Sequence, residues 1–265
     1  MKKFFFLVII TFAVYLTANA QWEQCNNGIY GGSVSALTKS GSNIFAGTLN
    51  GVYLSTDNGH SWAQKFTGIN NNAIFSLAFC NNKVFAGTYD GVYMSTDKGD
   101  NWVPKNSGLP AAKGVSSIVS GNSIIACIID GHVYFSNDTA NSWKFIQTGA
   151  SNAVVYLSIL SDKIIAISNE GVFVSTDSGL TWTYHVNTLT ENNIYTYSMS
   201  GNNILAGTSS GIYISSDFGD SWTRKISGLK CIAVYSFAIS GNNIYAGTRG
   251  KINSGIYLST DNGDN

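Results

Sequence analysis

The stretch STDNGHSW, residues 55–62, decides the fold because the same pattern returns along the chain. The pattern is Ser-x-Asp-x-Gly-x-Ser/Thr-Trp, and we call each copy a box. The other copies are STDKGDNW (95–102), the degenerate SNDTANSW (136–143), STDSGLTW (175–182), SSDFGDSW (215–222) and STDNGDN (259–265). A pattern that returns about every 40 residues indicates a repeat protein, in which one supersecondary unit is copied and stacked.

Each unit contains four short segments with strand character. In the second unit these are AIFSLAF from Ala73, KVFAGT from Lys83, GVYMS from Gly91 and WVPK from Trp102. The second and third are joined by Asp-Gly, a strong hairpin signal because both turn residues favour positive φ. Four antiparallel strands per unit, buried between neighbouring units, predict an all-β propeller built from six repeats of about 40 residues.

The box itself has a mechanical interpretation. Its Asp can accept hydrogen bonds from backbone NH groups of its own turn, its Gly adopts a conformation that other residues resist, and its Trp packs beneath. We therefore predict that the box residues are structural rather than catalytic or metal-binding. These residues are Asp57, Gly59, Trp62, Asp97, Gly99, Trp102, Asp138, Trp143, Asp177, Gly179, Trp182, Asp217, Gly219, Trp222, Asp261 and Gly263.

The boxes resemble the Asp-box, or BNR, repeats of bacterial neuraminidases and related propellers, and the resemblance covers residues 22–265. It implies that each box joins the third and fourth strands of a blade. It also implies that the boxes lie on the face away from the ligand site.

The two ends of the repeat leave the blade number open. Trp22 starts an outer strand with no box before it, and residue 265 falls immediately before the position that every other box fills with Trp. The N-terminal strand could complete the last blade and close a ring of six. Alternatively, the sequence is truncated and more blades follow.

The first 20 residues have the character of a secretory signal peptide. Lys2 and Lys3 precede an apolar run that ends near Ala18-Asn19-Ala20. We therefore predict a leader at 1–20, a propeller domain at 21–265 and a secreted or cell-surface protein, with the periplasm as an alternative. Without the two leader lysines the chain has a small acidic excess and no block of like charge, which gives no indication of nucleic-acid binding.

Neither a metal nor a cofactor is expected. The chain has four cysteines, and they show no CxxC or Cys/His ligand spacing. Export permits disulfides, and Cys25 with Cys231 is one candidate pair because both fall in outer-strand or loop segments. Cys127 replaces the Gly of an Ala-Gly-Thr strand, and we predict a buried, inert thiol.

Candidate ligand-binding residues lie where the repeats diverge, on the face opposite the boxes. One set follows each Trp by 13 positions, at the start of the innermost strand, and consists of Phe75, Tyr156, Tyr195 and Tyr235. Such aromatics could stack on sugar rings or peptide side chains, or could simply fill space between blades. The second set, Arg249, Lys251 and Asn253, lies in an insertion in the sixth unit, where TRGKINSG replaces the TSSG of the fifth.

An enzymatic function finds less support. Neuraminidases of the resembled family hold the sialic acid carboxylate with three arginines, whereas this chain has only Arg224 and Arg249. Glycoside hydrolysis generally needs two carboxyl groups about 5–9.5 Å apart. The acids on the predicted ligand face are Asp90, Asp130, Glu170 and Glu191, and the first three recur at one turn position of successive blades.

We therefore predict a secreted, non-catalytic propeller that binds a protein or glycan through its loop face. Sortilin-type receptors and photosystem II assembly factors are similar propellers that act as binding platforms. The alternatives are a glycoside hydrolase acting on an exported polysaccharide and a spacer propeller in a longer surface protein.

Overall fold

The structure is a computed structural model in which consecutive antiparallel sheets follow one another in chain order. It describes residues 24–30, 33–70, 73–111, 113–121, 124–150, 153–160, 163–186, 188–189, 193–250, 252–261 and 263. The predicted signal peptide and Trp22 lie outside these residues, as do Lys251 and Glu191. The described residues contain strands and turns and no helix.

The strands divide into six sheets. The first sheet contains β1 (Val34–Ser40), β2 (Asn43–Thr48), β3 (Gly51–Ser55) and β4 (Ala63–Lys65). The second contains β5 (Ile74–Cys80), β6 (Lys83–Thr88), β7 (Gly91–Ser95) and β8 (Val103–Pro104). The third contains β9 (Val115–Gly121), β10 (Ile124–Ile129), β11 (His132–Ser136) and β12 (Lys144–Ile146).

The fourth sheet contains β13 (Val154–Leu160), β14 (Lys163–Ser168), β15 (Gly171–Ser175) and β16 (Thr183–Val186). The fifth contains β17 (Ile194–Ser200), β18 (Asn203–Thr208), β19 (Gly211–Ser215) and β20 (Thr223–Lys225). The sixth contains β21 (Val234–Ser240), β22 (Asn243–Thr248) and β23 (Ile256–Ser259). Each strand pairs antiparallel with the next in the chain, which confirms the predicted all-β propeller with six repeats. Within the described residues the sixth sheet has three strands, so the predicted fourth strand is not among them.

The hydrophobic core lies between neighbouring sheets. Phe45 and Val52 of the first sheet, for example, share one buried cluster with Ile74 and Val84 of the second. The inner strands β1 and β5 contact each other directly, as do β5 and β9. Because β2, β6 and their equivalents are covered on both faces, these strands read as runs of buried residues rather than as alternating ones.

Each box forms a closed network of hydrogen bonds between β3 and β4 or their equivalents. In the first box, the Ser55 hydroxyl donates to Asp57 Oδ1 over 2.8 Å and accepts from the Gly59 NH over 2.8 Å. The Asp57 carboxylate also accepts from the Ser61 NH (2.9 Å) and the Ser61 hydroxyl (2.6 Å). The Ser215 to Ser221 turn repeats all four bonds. The aspartates therefore act as turn staples, as the sequence predicted.

The backbone of the box explains its glycine. The residue before it and the glycine itself both have positive φ, 59° at Lys98 and 91° at Gly99 in the second box. A Cβ on Gly99 would approach the Lys65 Cβ to 3.0 Å. In the degenerate third box Ala140 occupies this place with a φ of 61°.

The tryptophans tie each box to the preceding outer strand. The indole NH of Trp102 donates to the Lys65 carbonyl over 3.2 Å, and that of Trp143 donates to the Lys105 carbonyl over 2.7 Å. Trp102 and Trp143 are also buried in the core between sheets. The box therefore fixes both its own hairpin and the contact with the neighbouring sheet.

The box carboxylates accept so many hydrogen bonds that their ionised form is favoured. Bonds from the Asn101 side chain and NH and from Ser95 lower the pKa of Asp97 to about 2. Bonds from Ser221 and Ser215 lower the pKa of Asp217 to about 2. A carboxyl group with a lowered folded pKa stabilises the fold above its unfolded pKa of about 4, and this contribution is lost as the pH falls toward 2.

We expect Asp97→Asn to lower the melting temperature at pH 7, because the amide cannot accept from both Asn101 and Ser95 while carrying the charge that strengthens these bonds. The difference from the unmodified protein should shrink between about pH 4 and pH 2, where Asp97 itself becomes protonated. Thermal denaturation followed by circular dichroism across this pH range measures both effects. A difference that stays constant down to pH 2 would contradict the staple interpretation.

We expect Gly99→Ala to destabilise the protein by about 1–3 kcal/mol, because an L side chain resists the positive φ and crowds Lys65. The matched control is Gly114→Ala, where φ is not positive and the nearest atom to a new Cβ is 3.8 Å away. Urea denaturation of both variants provides the comparison. Equal stability of the two variants would show that the turn tolerates a side chain.

Candidate functional site

The boxes and the candidate ligand-binding residues lie at opposite ends of the sheets. In the second sheet, Ile74 at the start of the inner strand pairs with Thr88, next to the turn that joins β6 and β7. Ser95, where the box begins, pairs with Val84 at the other end of β6. We call the end with the inner-strand starts and the turns between second and third strands the candidate face.

A β-bulge marks the start of each inner strand. In the second, fifth and sixth sheets the register shifts between Ile74 and Ser76, Ile194 and Thr196, and Val234 and Ser236. The shift places Phe75, Tyr195 and Tyr235 outside the regular ladder, where all three are exposed. A bulge re-aims a side chain away from the sheet, which explains how large aromatic residues stay accessible here.

The strand register corrects one of the predicted equivalences. Counting 13 residues from Trp143 gives Tyr156, but the bulge of the fourth sheet falls between Val154 and Tyr156. Val155 therefore takes the exposed bulge position, and Tyr156 takes the next ladder position, opposite Ile167. Its ring lies 6.1 Å from that of Tyr197, and burial raises the pKa of its phenol.

Two of the predicted aromatics meet across a sheet boundary. Tyr195 of the fifth sheet and Tyr235 of the sixth stack with ring centroids 4.1 Å apart and planes 9° apart. Their relative exposures are 41% and 40%, so the pair is accessible to a ligand. A hydrogen bond with Tyr235 and desolvation raise the pKa of Tyr195, so the pair remains uncharged at neutral pH.

The insertion in the sixth sheet brings a cation to this pair. The guanidinium carbon of Arg249 lies 6.0 Å from the centre of the Tyr235 ring. The insertion is closed at its base, because the Thr248 NH and hydroxyl both bond to the Gly255 carbonyl, over 2.8 Å and 3.0 Å. Asn253 has a φ of 56°, and its carbonyl accepts from the Tyr257 hydroxyl over 2.7 Å. Lys251, the other predicted residue of the insertion, lies outside the described residues.

A groove of about 250 Å³ extends the site toward the fourth sheet. Its lining includes Tyr156, Tyr195, Val155 and Asn169. The structure therefore places Tyr156, Tyr195, Tyr235 and Arg249 in sequence across three neighbouring sheets, and we call these four residues the aromatic row. Phe75 lies on the second sheet and is not part of the row.

The acids on the candidate face are spread over separate sheets. Asp90 and Asp130 lie in equivalent turns of the second and third sheets, and Glu170 lies in that of the fourth. The Asp130 carboxylate is paired with Lys113 Nζ over 2.6 Å. Among the residues that the structure describes, no group of three His, Cys, Asp or Glu side chains could hold a metal ion.

All four cysteines are free thiols, so the candidate pair Cys25 and Cys231 is not bonded in this structure. Cys127 is buried as predicted, and burial raises the pKa of its thiol. The described part of the chain has no helix long and apolar enough to cross a membrane.

Sequence reasoning missed two exposed apolar residues beside the row. Val155 was hidden by the count from Trp143, and only the ladder register reveals its bulge position. Ile252 in the insertion is exposed and adjoins Asn253. An apolar residue inside an otherwise polar insertion is a signal that could have identified it.

The chemistry of the aromatic row is that of binding. Stacked phenol rings offer flat apolar surface with hydroxyl groups at the rim, and Arg249 offers a fork of NH donors. Such a surface suits rings or extended chains that carry hydroxyl, carbonyl or carboxylate groups.

No family model matches the chain, and no curated protein matches it by sequence. Among solved structures, it is similar to an ancestral GH74 enzyme (TM-score 0.70, 21% identity, covering 91% of this chain and 38% of the enzyme). It is also similar to YCF48 bound to D1 peptide (TM-score 0.66, 14% identity, covering 85% of this chain and 77% of YCF48). A third is the extracellular domain of BT4673 from B. thetaiotaomicron (TM-score 0.65, 18% identity, covering 89% of this chain and 34% of that one). At these identities the similarity shows the propeller fold, and the chain spans about a third of the enzyme and of BT4673.

Proposed function

We propose that this protein is an exported, non-catalytic propeller that binds a protein or glycan partner through the aromatic row. The observation that carries the proposal is the exposed stack of Tyr195 on Tyr235 with Arg249 beside it. Aromatic surface of this size is usually buried in a soluble protein unless it serves recognition.

The position of the row supports the proposal. Its residues come from three sheets and from the one large insertion between the second and third strands, whereas the boxes at the other end of the sheets vary little. Binding residues are typically carried by variable loops and strand ends on a rigid scaffold. Here the boxes provide the rigidity.

The solved structures are compatible with a binding role at the level of the fold. YCF48 was solved with a bound peptide, and the BT4673 propeller is an extracellular domain. Export of this chain rests on the predicted leader at residues 1–20. The resemblance of the boxes to Asp-box repeats belongs to the same proposal, since it rests on the sequence pattern.

A glycoside hydrolase remains the second candidate, because GH74 enzymes share this fold. It requires two carboxyl groups within hydrolase distance on the candidate face. Release of reducing ends from xyloglucan or another polysaccharide by the purified protein would favour it. The same assay on Asp90→Asn and Asp130→Asn variants would then test whether these acids take part.

We expect Tyr235→Ala to weaken partner binding about 10-fold or more, because it removes half of the stack and the surface next to Arg249. The partner is first identified on a glycan array and by pull-down with cell-envelope proteins, and affinity is then measured by calorimetry. Leu180→Ala, which removes an exposed apolar side chain from a box at the other end, is the matched control.

We expect Arg249→Gln to weaken binding of a carboxylate-bearing ligand more than that of a neutral one, because a guanidinium donates charge-assisted hydrogen bonds. Lys98→Gln removes the same charge from an exposed box residue and should leave affinity unchanged. The proposal fails if the array and the pull-down return no partner. It also fails if a confirmed partner binds the Tyr235→Ala variant as tightly as the unmodified protein.

A further inference from the structure

An apolar cavity of about 90 Å³ lies between the fifth and sixth sheets, beside the sixth box. Its lining includes Ile212, Ile214, Leu229, Ile244, Ala246 and Tyr257. Cavities of this kind are uncommon in well-packed proteins, because the atoms around them lose van der Waals contacts.

In the second sheet a tryptophan fills the equivalent space. Trp102 is buried in a cluster with Val52, Leu54, Ile69, Val84, Ala86 and Tyr93. These six residues occupy the same strand and loop positions in the first and second sheets that the six cavity residues occupy in the fifth and sixth. The cavity is therefore shaped like the other tryptophan sites, but no described residue occupies it.

The sequence contains an indole without a box as well as a box without an indole. It has six tryptophans and six boxes. Trp22 has no box before it, and the box that begins at Ser259 reaches Asn265 without a tryptophan. The two incomplete units complement each other.

The residues after Trp22 already lie where the fourth strand of a preceding sheet would lie. The Trp62 indole donates to the Cys25 carbonyl over 2.8 Å, as the Trp102 indole donates to the Lys65 carbonyl. The Trp62 NH donates to the Asn27 carbonyl over 2.9 Å, as the Trp102 NH donates to Thr67. Cys25 follows Trp22 by three residues, and Lys65 follows Trp62 by three.

The outer faces of the first and sixth sheets are also uncovered. Leu37 is 64% exposed, whereas its equivalent Leu77 in the second sheet is 8% exposed. Leu258 is 52% exposed, whereas its equivalent Leu54 in the first sheet is 7% exposed. The two faces are the two halves of the interface that joins each sheet to the next elsewhere in the chain.

From these observations we propose that the indole of Trp22 fills the cavity between the fifth and sixth sheets of the same chain, and that residues 23–25 pair with β23. This pairing gives the sixth sheet its fourth strand and brings the uncovered faces of the first and sixth sheets together. Filling the site should also fix the sixth sheet, which carries Tyr235 and Arg249 of the aromatic row. The inference stands independently of the proposed binding function.

The pairing has a definite register. Val52 pairs with Lys65 in the first sheet, and Ile212 pairs with Lys225 in the fifth. Ile256 is the equivalent of Val52, so it should pair with Cys25. Directly opposed residues in antiparallel strands have Cα atoms about 4.5–5.5 Å apart, within the range of a disulfide.

The test is therefore disulfide formation in an Ile256→Cys variant of the full chain, with native Cys25 as the partner thiol. Mild oxidation should join Cys25 to the introduced thiol in most molecules, and these should migrate as monomers on a non-reducing gel. Peptide mapping by mass spectrometry identifies the linked pair. The matched control is Leu180→Cys, which places an equally exposed thiol in a box of the fourth repeat and should not link to Cys25.

Each outcome of this experiment is decisive. A Cys25 bond to position 256 within one chain supports the proposal. The same bond between two chains overturns it, because a second copy would then supply the indole. The absence of the bond, or its formation no faster than in the Leu180→Cys control, overturns it as well.

Removal of the indole provides an independent measurement. We expect Trp22→Ala to lower the melting temperature by roughly 10 °C, since it would empty a buried site of a large aromatic side chain. Gln24→Ala, which changes an exposed residue of the same segment, should leave it unchanged. Equal melting temperatures for Trp22→Ala and the unmodified protein would count against the proposal.

Discussion

The packing of each sheet against the next is the interaction on which the rest of the structure depends. A single blade buries little apolar surface on its own, and its strands become covered only when neighbours lie on both faces. The cluster that holds Phe45, Ile74 and Trp102 shows how one interface draws on two sheets at once. The same dependence explains why the outer faces of the first and sixth sheets stand out. There the equivalents of fully buried residues, such as Leu37 and Leu258, are exposed to solvent.

This stacking divides the molecule into two ends with different duties. At one end the boxes repeat nearly the same hydrogen bonds in sheet after sheet, with Asp57 and Asp217 as examples. Their low pKa values follow from those bonds, which place them among structural rather than catalytic carboxyl groups. At the other end the bulges and the sixth-unit insertion vary in sequence. Variation there leaves the stacked core untouched, so this end is free to acquire a recognition surface.

Part of this surface could be predicted from sequence. The spacing from each Trp identified Tyr195 and Tyr235, and the insertion identified Arg249, because the length of a unit fixes which residue begins its inner strand. The same count misplaced Tyr156 by one ladder position, since a count along the chain cannot see where a bulge adds a residue. The stack of Tyr195 on Tyr235 was also beyond the count. Two residues 40 positions apart come within 4.1 Å only because the fifth and sixth sheets are adjacent and equally oriented.

The sequence by itself determined the repeat, the all-β architecture, the order of strands in each blade and the structural role of the box. These properties depend on local patterns, namely alternation, turn residues and the requirement for positive φ, and local patterns are legible in one dimension. The tertiary structure alone decided which aromatics meet, which face of each end sheet lacks a neighbour and that the sixth box adjoins an apolar cavity. Those properties depend on distances between residues far apart in the chain, and such distances are set by how the sheets pack against one another.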